Sequence, residues 1–99
     1  MNFKPKPLSE QVLLITGASS GIGLITAQQA ARQGAKVILI SRNAEALEKI
    51  VSDITAAGGV AVSAVADVGD EAQFKTAVAA GIAKFGRIDT WINNAGVGM

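Results

Sequence analysis

Thr16-Gly17-Ala18-Ser19-Ser20-Gly21-Ile22-Gly23 follows directly on the apolar run Val12-Leu13-Leu14-Ile15, at the point where a strand should turn into a helix. Four apolar residues without alternation suit a parallel strand covered on both faces. The residues after Gly23 read as a helix running to about Gln33. A strand, a glycine-rich turn and a helix, in that order, describe a cradle for nucleotide phosphates. One glycine allows the tight reversal, another lets backbone amides approach a pyrophosphate, and a third lets helix and sheet pack closely. The helix beginning near Ser20 or Gly21 aims free amides and the positive end of its dipole at the phosphates, and Ser19 and Ser20 add hydroxyl donors. Glycine-rich turns also close strand–helix units that bind nothing. The spacing, Gly-x-x-x-Gly-x-Gly, departs from the Gly-x-Gly-x-x-Gly of ordinary dinucleotide-binding domains, so the turn alone leaves both readings open.

Outward from the turn, strands and helices alternate. Gly34 can close the first helix, and Lys36 to Ser41 reads as a second buried strand. Asn43 can cap the next helix, where Leu47, Ile50, Val51 and Ile54 form one apolar stripe and Glu45, Glu48, Lys49 and Asp53 face outward. Gly58-Gly59 ends it, and Val60 to Ala66 is the third strand. Asp70, with Gln73 completing a capping box, opens a third helix whose inner side is Phe74, Val78, Ile82 and Phe85. Gly86 closes that helix. Ile88 to Ile92 is the fourth strand, in which Trp91 is expected to fill core space. This alternation predicts right-handed crossovers and a doubly wound parallel sheet of order 3-2-1-4 in a three-layer α/β/α arrangement. Residues 1–10 read as an amino-terminal arm.

The fourth strand opens onto a second motif, Asn93-Asn94-Ala95-Gly96. Its small residues let the main chain approach a ligand, and its carboxamides donate and accept together, although asparagine and glycine are also ordinary turn residues. Taken together, Thr16-Gly17-x-x-x-Gly21-Ile22-Gly23 and Asn93-Asn94-Ala95-Gly96 resemble the short-chain dehydrogenase/reductase family, from about Leu8 to Met99. The resemblance implies a Rossmann fold that binds NAD or NADP, with Gly17, Ser19, Ser20, Gly21, Ile22 and Gly23 at the cofactor. It implies that Asp67 and Val68 contact the adenine ring, the carboxylate accepting from the exocyclic amino group. Asn94 then lies beside the nicotinamide-side ribose, with Ala95 and Gly96 next to it. The plainer reading of Asp67 is a loop aspartate near a helix start.

Cofactor choice turns on the end of the second strand, where an acidic side chain would bond the adenosine ribose hydroxyls and repel a 2′-phosphate. Here stand Ser41 and Arg42. Serine removes the repulsion, and a guanidinium forms paired charge-assisted bonds with a phosphate, which favours NADP over NAD. The competing reading makes Arg42 a solvated residue, paired with Glu45. In the family a second basic residue sometimes sits in the cradle, where this chain has Ser20.

With 99 residues the chain is at most one domain, and 49% hydrophobic residues with 17% charged make it globular. A net charge of +1 gives no basic footprint for nucleic acid. Without cysteine or histidine there is no disulfide framework and no ordinary metal site. The start, Met1 to Pro7, is basic but lacks the apolar stretch of a secretory signal, and no segment is long enough to span a membrane, so a cytoplasmic protein is expected.

In the resembled family catalysis depends on a serine, a Tyr-x-x-x-Lys pair and an asparagine beyond the fourth strand. This chain has no tyrosine and ends at Met99. No catalytic residue is therefore assigned. The expectation is a partial dinucleotide-binding domain over residues 1–99, the amino-terminal part of a homo-oligomeric oxidoreductase that moves hydride between NADP(H) and an alcohol or carbonyl substrate. The alternative is a non-catalytic Rossmann module that senses the cofactor. A structural α/β domain with a fortuitous glycine turn is disfavoured by four matching sites in register.

Overall fold

The computed structural model describes residues 7–94. Four strands, β1 (Val12–Thr16), β2 (Lys36–Ser41), β3 (Val60–Val65) and β4 (Thr90–Asn93), alternate with three helices, α1 (Gly21–Arg32), α2 (Ala44–Ala56) and α3 (Glu71–Phe85). The sheet is ordered β3-β2-β1-β4 and every pairing is parallel, with Val12 opposite Lys36, Lys36 opposite Val60 and Leu13 opposite Thr90. This is the expected doubly wound order.

The unalternating strands are covered on both faces, which separates the core into two clusters. Leu13, Ile15, Val37 and Leu39 pack against Ala27, Ala30 and Ala31 of α1 and against Leu47, Ile50 and Ile54 of α2. On the other face Val12, Leu14, Ile38 and Ile40 pack against Ala77 of α3, with Phe74, Val78, Phe85 and Ile88 around them. Three layers result. Leu8, expected in the arm, packs against the first cluster, and residues Leu8–Glu10 form a 3-10 turn.

The helix signals act as their chemistry requires. The Ala46 amide donates to Asn43 Oδ1 at 3.1 Å, and the Gln73 amide donates to Asp70 Oδ1 at 3.1 Å. Each such cap contributes about 1 kcal/mol. Gly86 closes α3 in the left-handed conformation, φ 85°.

Five expectations need correction. Gln73 Oε1 accepts from the Asp67 amide at 2.9 Å, not from the Asp70 amide as a capping box requires, while its Nε2 donates to Asp70 Oδ2, so the side chain ties the loop after β3 to α3. Ile82 is exposed, and Ala77 and Gly81 are the buried residues of α3. Gly81 is there because a Cβ would stand 2.6 Å from Ile38 Cδ1, so α3 lies closer to the sheet than an apolar stripe suggests. Trp91 is 52% exposed, because β4 is the edge of the described sheet, and its ring lies 6.0 Å from that of Phe74. Finally, β4 starts at Thr90, because the Asp89 carboxylate takes the Val12 amide at 2.8 Å. β3 correspondingly ends one residue early at Val65, although the Ala66 amide still donates to the Ser41 carbonyl at 3.0 Å.

No helix among the described residues is long and apolar enough to cross a membrane.

Candidate functional site

In a parallel sheet, ligand-binding loops collect at the carboxyl ends of the strands, where neighbouring connections diverge to opposite faces. The turn after β1 is built for close approach. Gly17 and Gly21 have φ of 61° and 58°, which side-chain-bearing residues adopt at a cost. Gly23 lies so near the Gly17 carbonyl that a Cβ would collide with it, whereas a Cβ on Gly21 would meet nothing within 4 Å. One glycine therefore serves packing and the other leaves an open surface.

α1 begins at Gly21 with Ser20 in the extended conformation and no side-chain cap bond. Its first amides are left to an external partner, unlike those of α2 and α3. The turn is pinned from the side by β2: the Ala18 amide donates to the Ile40 carbonyl at 3.3 Å, and the Ser41 and Ser19 hydroxyls are hydrogen-bonded to each other at 2.7 Å.

Between the turn, the end of β2 and the loop after β3 lies an open cleft of about 290 Å³, lined by Gly17, Ser19, Ile40, Ser41, Arg42, Asn43 and Val68. Ion pairs among the described residues join Lys49 to Asp53, Lys75 to Glu71 and Arg87 to Asp89, and Arg42 is in none of them. The pairing of Arg42 with Glu45 allowed by the sequence is absent there. Asp67 adjoins the cleft through Val68; its Oδ1 accepts from the Gly69 amide at 2.8 Å, and its own amide is held by Gln73.

The candidate residues fall into two groups across β1. Asn94 follows β4 and does not line the cleft; its amide donates to Thr16 Oγ1 at 3.0 Å, and the Thr16 hydroxyl donates to Asn93 Oδ1 at 2.7 Å. Asn94 Nδ2 is buried without a hydrogen-bond partner among the described residues. Ile22, in the first turn of α1, is 74% exposed. Ala95 and Gly96 lie outside the described residues. A smaller recess of about 100 Å³, lined in part by Arg32, Asp53 and Gly59, lies at the opposite ends of the strands and holds none of these residues.

Sequence reasoning missed three contributors. Asn43 lines the cleft as well as capping α2, a position foreshadowed by its following Arg42 directly. Thr16, buried at 3% exposure, joins β1 to β4. Gln73 fixes the Asp67 backbone through a contact that no local spacing announces.

Residues 11–99 match the sequence pattern of the short chain dehydrogenase family. The chain belongs to that family. Among its relatives, this short-chain dehydrogenase chain is 49% identical over 95 residues to an uncharacterized oxidoreductase, YxnA, of Bacillus subtilis, covering 96% of this chain and 27% of that protein. The L-sorbose reductase of Gluconobacter frateurii, solved with NADPH and L-sorbose, superposes with a TM-score of 0.85 at 32% identity, over 90% of this chain and 34% of that one. A short-chain dehydrogenase/reductase of Burkholderia phymatum, solved with NAD, superposes with a TM-score of 0.79 at 32% identity, over 82% of this chain and 29% of that one. The short-chain dehydrogenase chain described here thus spans about a third or less of the length of these relatives.

Proposed function

We propose that this chain is the amino-terminal, NADP-binding part of a longer short-chain oxidoreductase that transfers hydride between NADP(H) and a carbonyl or alcohol substrate. The observation that carries the reading is the cleft that Gly17 and Ser19 of the turn share with Ser41 and the uncommitted Arg42, next in sequence to the uncapped start of α1 and the open surface at Gly21. The residues fit a dinucleotide. The amides of the turn from Gly17 to Gly23, apart from that of Ala18, which Ile40 holds, bind pyrophosphate with the Ser20 hydroxyl. Arg42 binds the adenosine 2′-phosphate, and Ser41 lets it approach by carrying no charge. Asp67 accepts from the adenine amino group through the carboxylate oxygen that Gly69 leaves free, and Val68 packs against the ring. Asn94 serves the nicotinamide-side ribose, a role that the family's motif also extends to Ala95 and Gly96. When bound, NADPH supplies the hydride; the residues named here hold and orient it.

Both NADPH and NAD occur in the related structures, so the choice of NADP rests on Ser41 and Arg42. Titration of the full-length protein, followed by the fluorescence of the reduced nicotinamide, tests it. NADPH is expected to bind at least about tenfold more tightly than NADH. Binding of neither would overturn the reading, and binding without turnover on a panel of ketones and aldehydes would favour a sensor module.

A further inference from the structure

The loop between β3 and α3 holds Asp67 at three of its polar groups. Its amide donates to Gln73 Oε1 at 2.9 Å, its carbonyl accepts from the Asp70 amide at 2.9 Å, and its Oδ1 accepts from the Gly69 amide at 2.8 Å. The direction of each bond follows from chemistry, because a backbone N–H only donates. The Gln73 carboxamide is oriented by the same logic: its oxygen faces the Asp67 N–H, and its Nε2 then donates to Asp70 Oδ2 at 3.3 Å. Among the described residues, Asp67 Oδ2 is left without a protein partner.

Two of these three bonds close the 67–70 turn on itself, and the third comes from outside it. Gln73, in the first turn of α3, bridges Asp67 to Asp70, the N-cap of that helix, and so sets how the turn sits against α3. Val68, next to Asp67, lines the cleft and packs against the second core cluster. A free carboxylate oxygen beside an apolar wall suits a flat base with a donor on its rim. A 6-aminopurine presents such a donor, whereas a 6-oxopurine turns an acceptor to the same place, where like would meet like.

We propose that Gln73 is a positioning residue for base recognition: by holding the Asp67 amide it sets the Asp67 carboxylate against the adenine amino group, and so makes the site select a 6-aminopurine dinucleotide over a 6-oxopurine one. This rests on the reading above that Asp67 takes the adenine amino group, and it goes further by assigning the selectivity to a side chain on α3. The plainer account of the same bonds is that Gln73 only steadies the start of α3, which would serve either base equally.

The test uses the full-length protein and measures dissociation constants for NADPH and for its analogue with hypoxanthine in place of adenine. The same pair without the 2′-phosphate, run alongside, keeps the comparison independent of the choice between NADP and NAD. Wild type is expected to prefer the adenine form by at least about tenfold, the worth of a hydrogen bond to a charged group. Gln73→Ala, and Gln73→Met, which keeps the length without the polar atoms, should each weaken the adenine form by about threefold and leave the hypoxanthine form unchanged. Gly69→Ala approaches Asp67 from the other side and leaves α3 untouched; its Cβ would stand 3.2 Å from Asp67 Oδ1, so the carboxylate must shift and the preference should fall again. Equal losses for the two bases in the Gln73 variants, or a preference they leave unchanged, would overturn the positioning role. If wild type binds both bases equally, the Asp67 reading itself has failed. If wild type prefers adenine and only Gly69→Ala lowers the preference, Asp67 stands and Gln73 does not position it.

Discussion

The carbonyl oxygen of Gly17 occupies the space that a Cβ on Gly23 would need, so the first turn of α1 rests directly on the backbone of the loop that follows β1. Helix and loop are thereby one rigid unit, and the amides of that unit are the proposed phosphate donors.

Gly23→Ala is accordingly expected to force the helix away from the loop. Overpacking of this kind costs about 1–3 kcal/mol. Urea denaturation of the full-length protein should show the loss, and binding of NADPH and NADH should weaken together because the pyrophosphate is common to both. Unchanged stability with unchanged binding would mean that the contact relaxes freely and does not define the cradle.

Thr16 makes a second rigid link, across the sheet. Its hydroxyl donates to Asn93 and accepts from the Asn94 amide, 3% exposed at the end of β1. Thr16→Val keeps the shape and deletes both bonds to the part-buried Asn93 and Asn94, which should cost about 1–2 kcal/mol for the two hydrogen bonds lost. Thr16→Ser should recover most of it. Thermal unfolding, with hydrogen exchange at the Asn94 amide, checks the pair of variants; equal behaviour of the two would show that the hydroxyl is dispensable.

The order of the strands was legible because buried parallel strands carry unbroken apolar runs, as in Val12 to Ile15 and Val37 to Ile40, and because Gly34, Asn43, Asp70 and Gly86 punctuate them by local chemistry. Errors arose where tertiary contact overrides the local pattern. Asp89 replaces a ladder bond with its side chain and shortens β4, a choice set by Val12 far away in sequence. Ile82 lies on the helical stripe yet stays exposed, since Gly81 against Ile38 fixes which side of α3 meets the sheet. Trp91 reads as a core residue by size, but its strand is at the edge of the described sheet. In the site, the glycine turn, Arg42 and Asp67 were readable as residue types at strand ends. The bonds from Ser41 to Ser19 and from Gln73 to Asp67 were not, because they depend on which loops the topology places side by side.

Gln73 supplies a prediction separate from the phosphate end. Its Oε1 accepts from the Asp67 amide and its Nε2 donates to Asp70 Oδ2 at 3.3 Å. Gln73→Ala should loosen the loop that carries Asp67 and Val68, weakening NADPH and NADH alike by about threefold, since the adenine is shared. Dissociation constants for the two cofactors check this. A change in their ratio would place Gln73 at the 2′-phosphate instead.

The central claim is that Arg42 reads the 2′-phosphate, and the dissociation constants of NADPH and NADH for full-length wild type and Arg42→Ala test it most directly. A charge-assisted hydrogen bond contributes roughly 1.5 to 3 kcal/mol, so NADPH binding should weaken by roughly ten- to a hundredfold while NADH changes little. Ser41→Asp, measured alongside, should penalise NADPH further and admit NADH, because a carboxylate repels phosphate and accepts from free ribose hydroxyls. Equal losses for NADPH and NADH in Arg42→Ala would contradict the account, placing the guanidinium in support of the fold or of the shared adenosine.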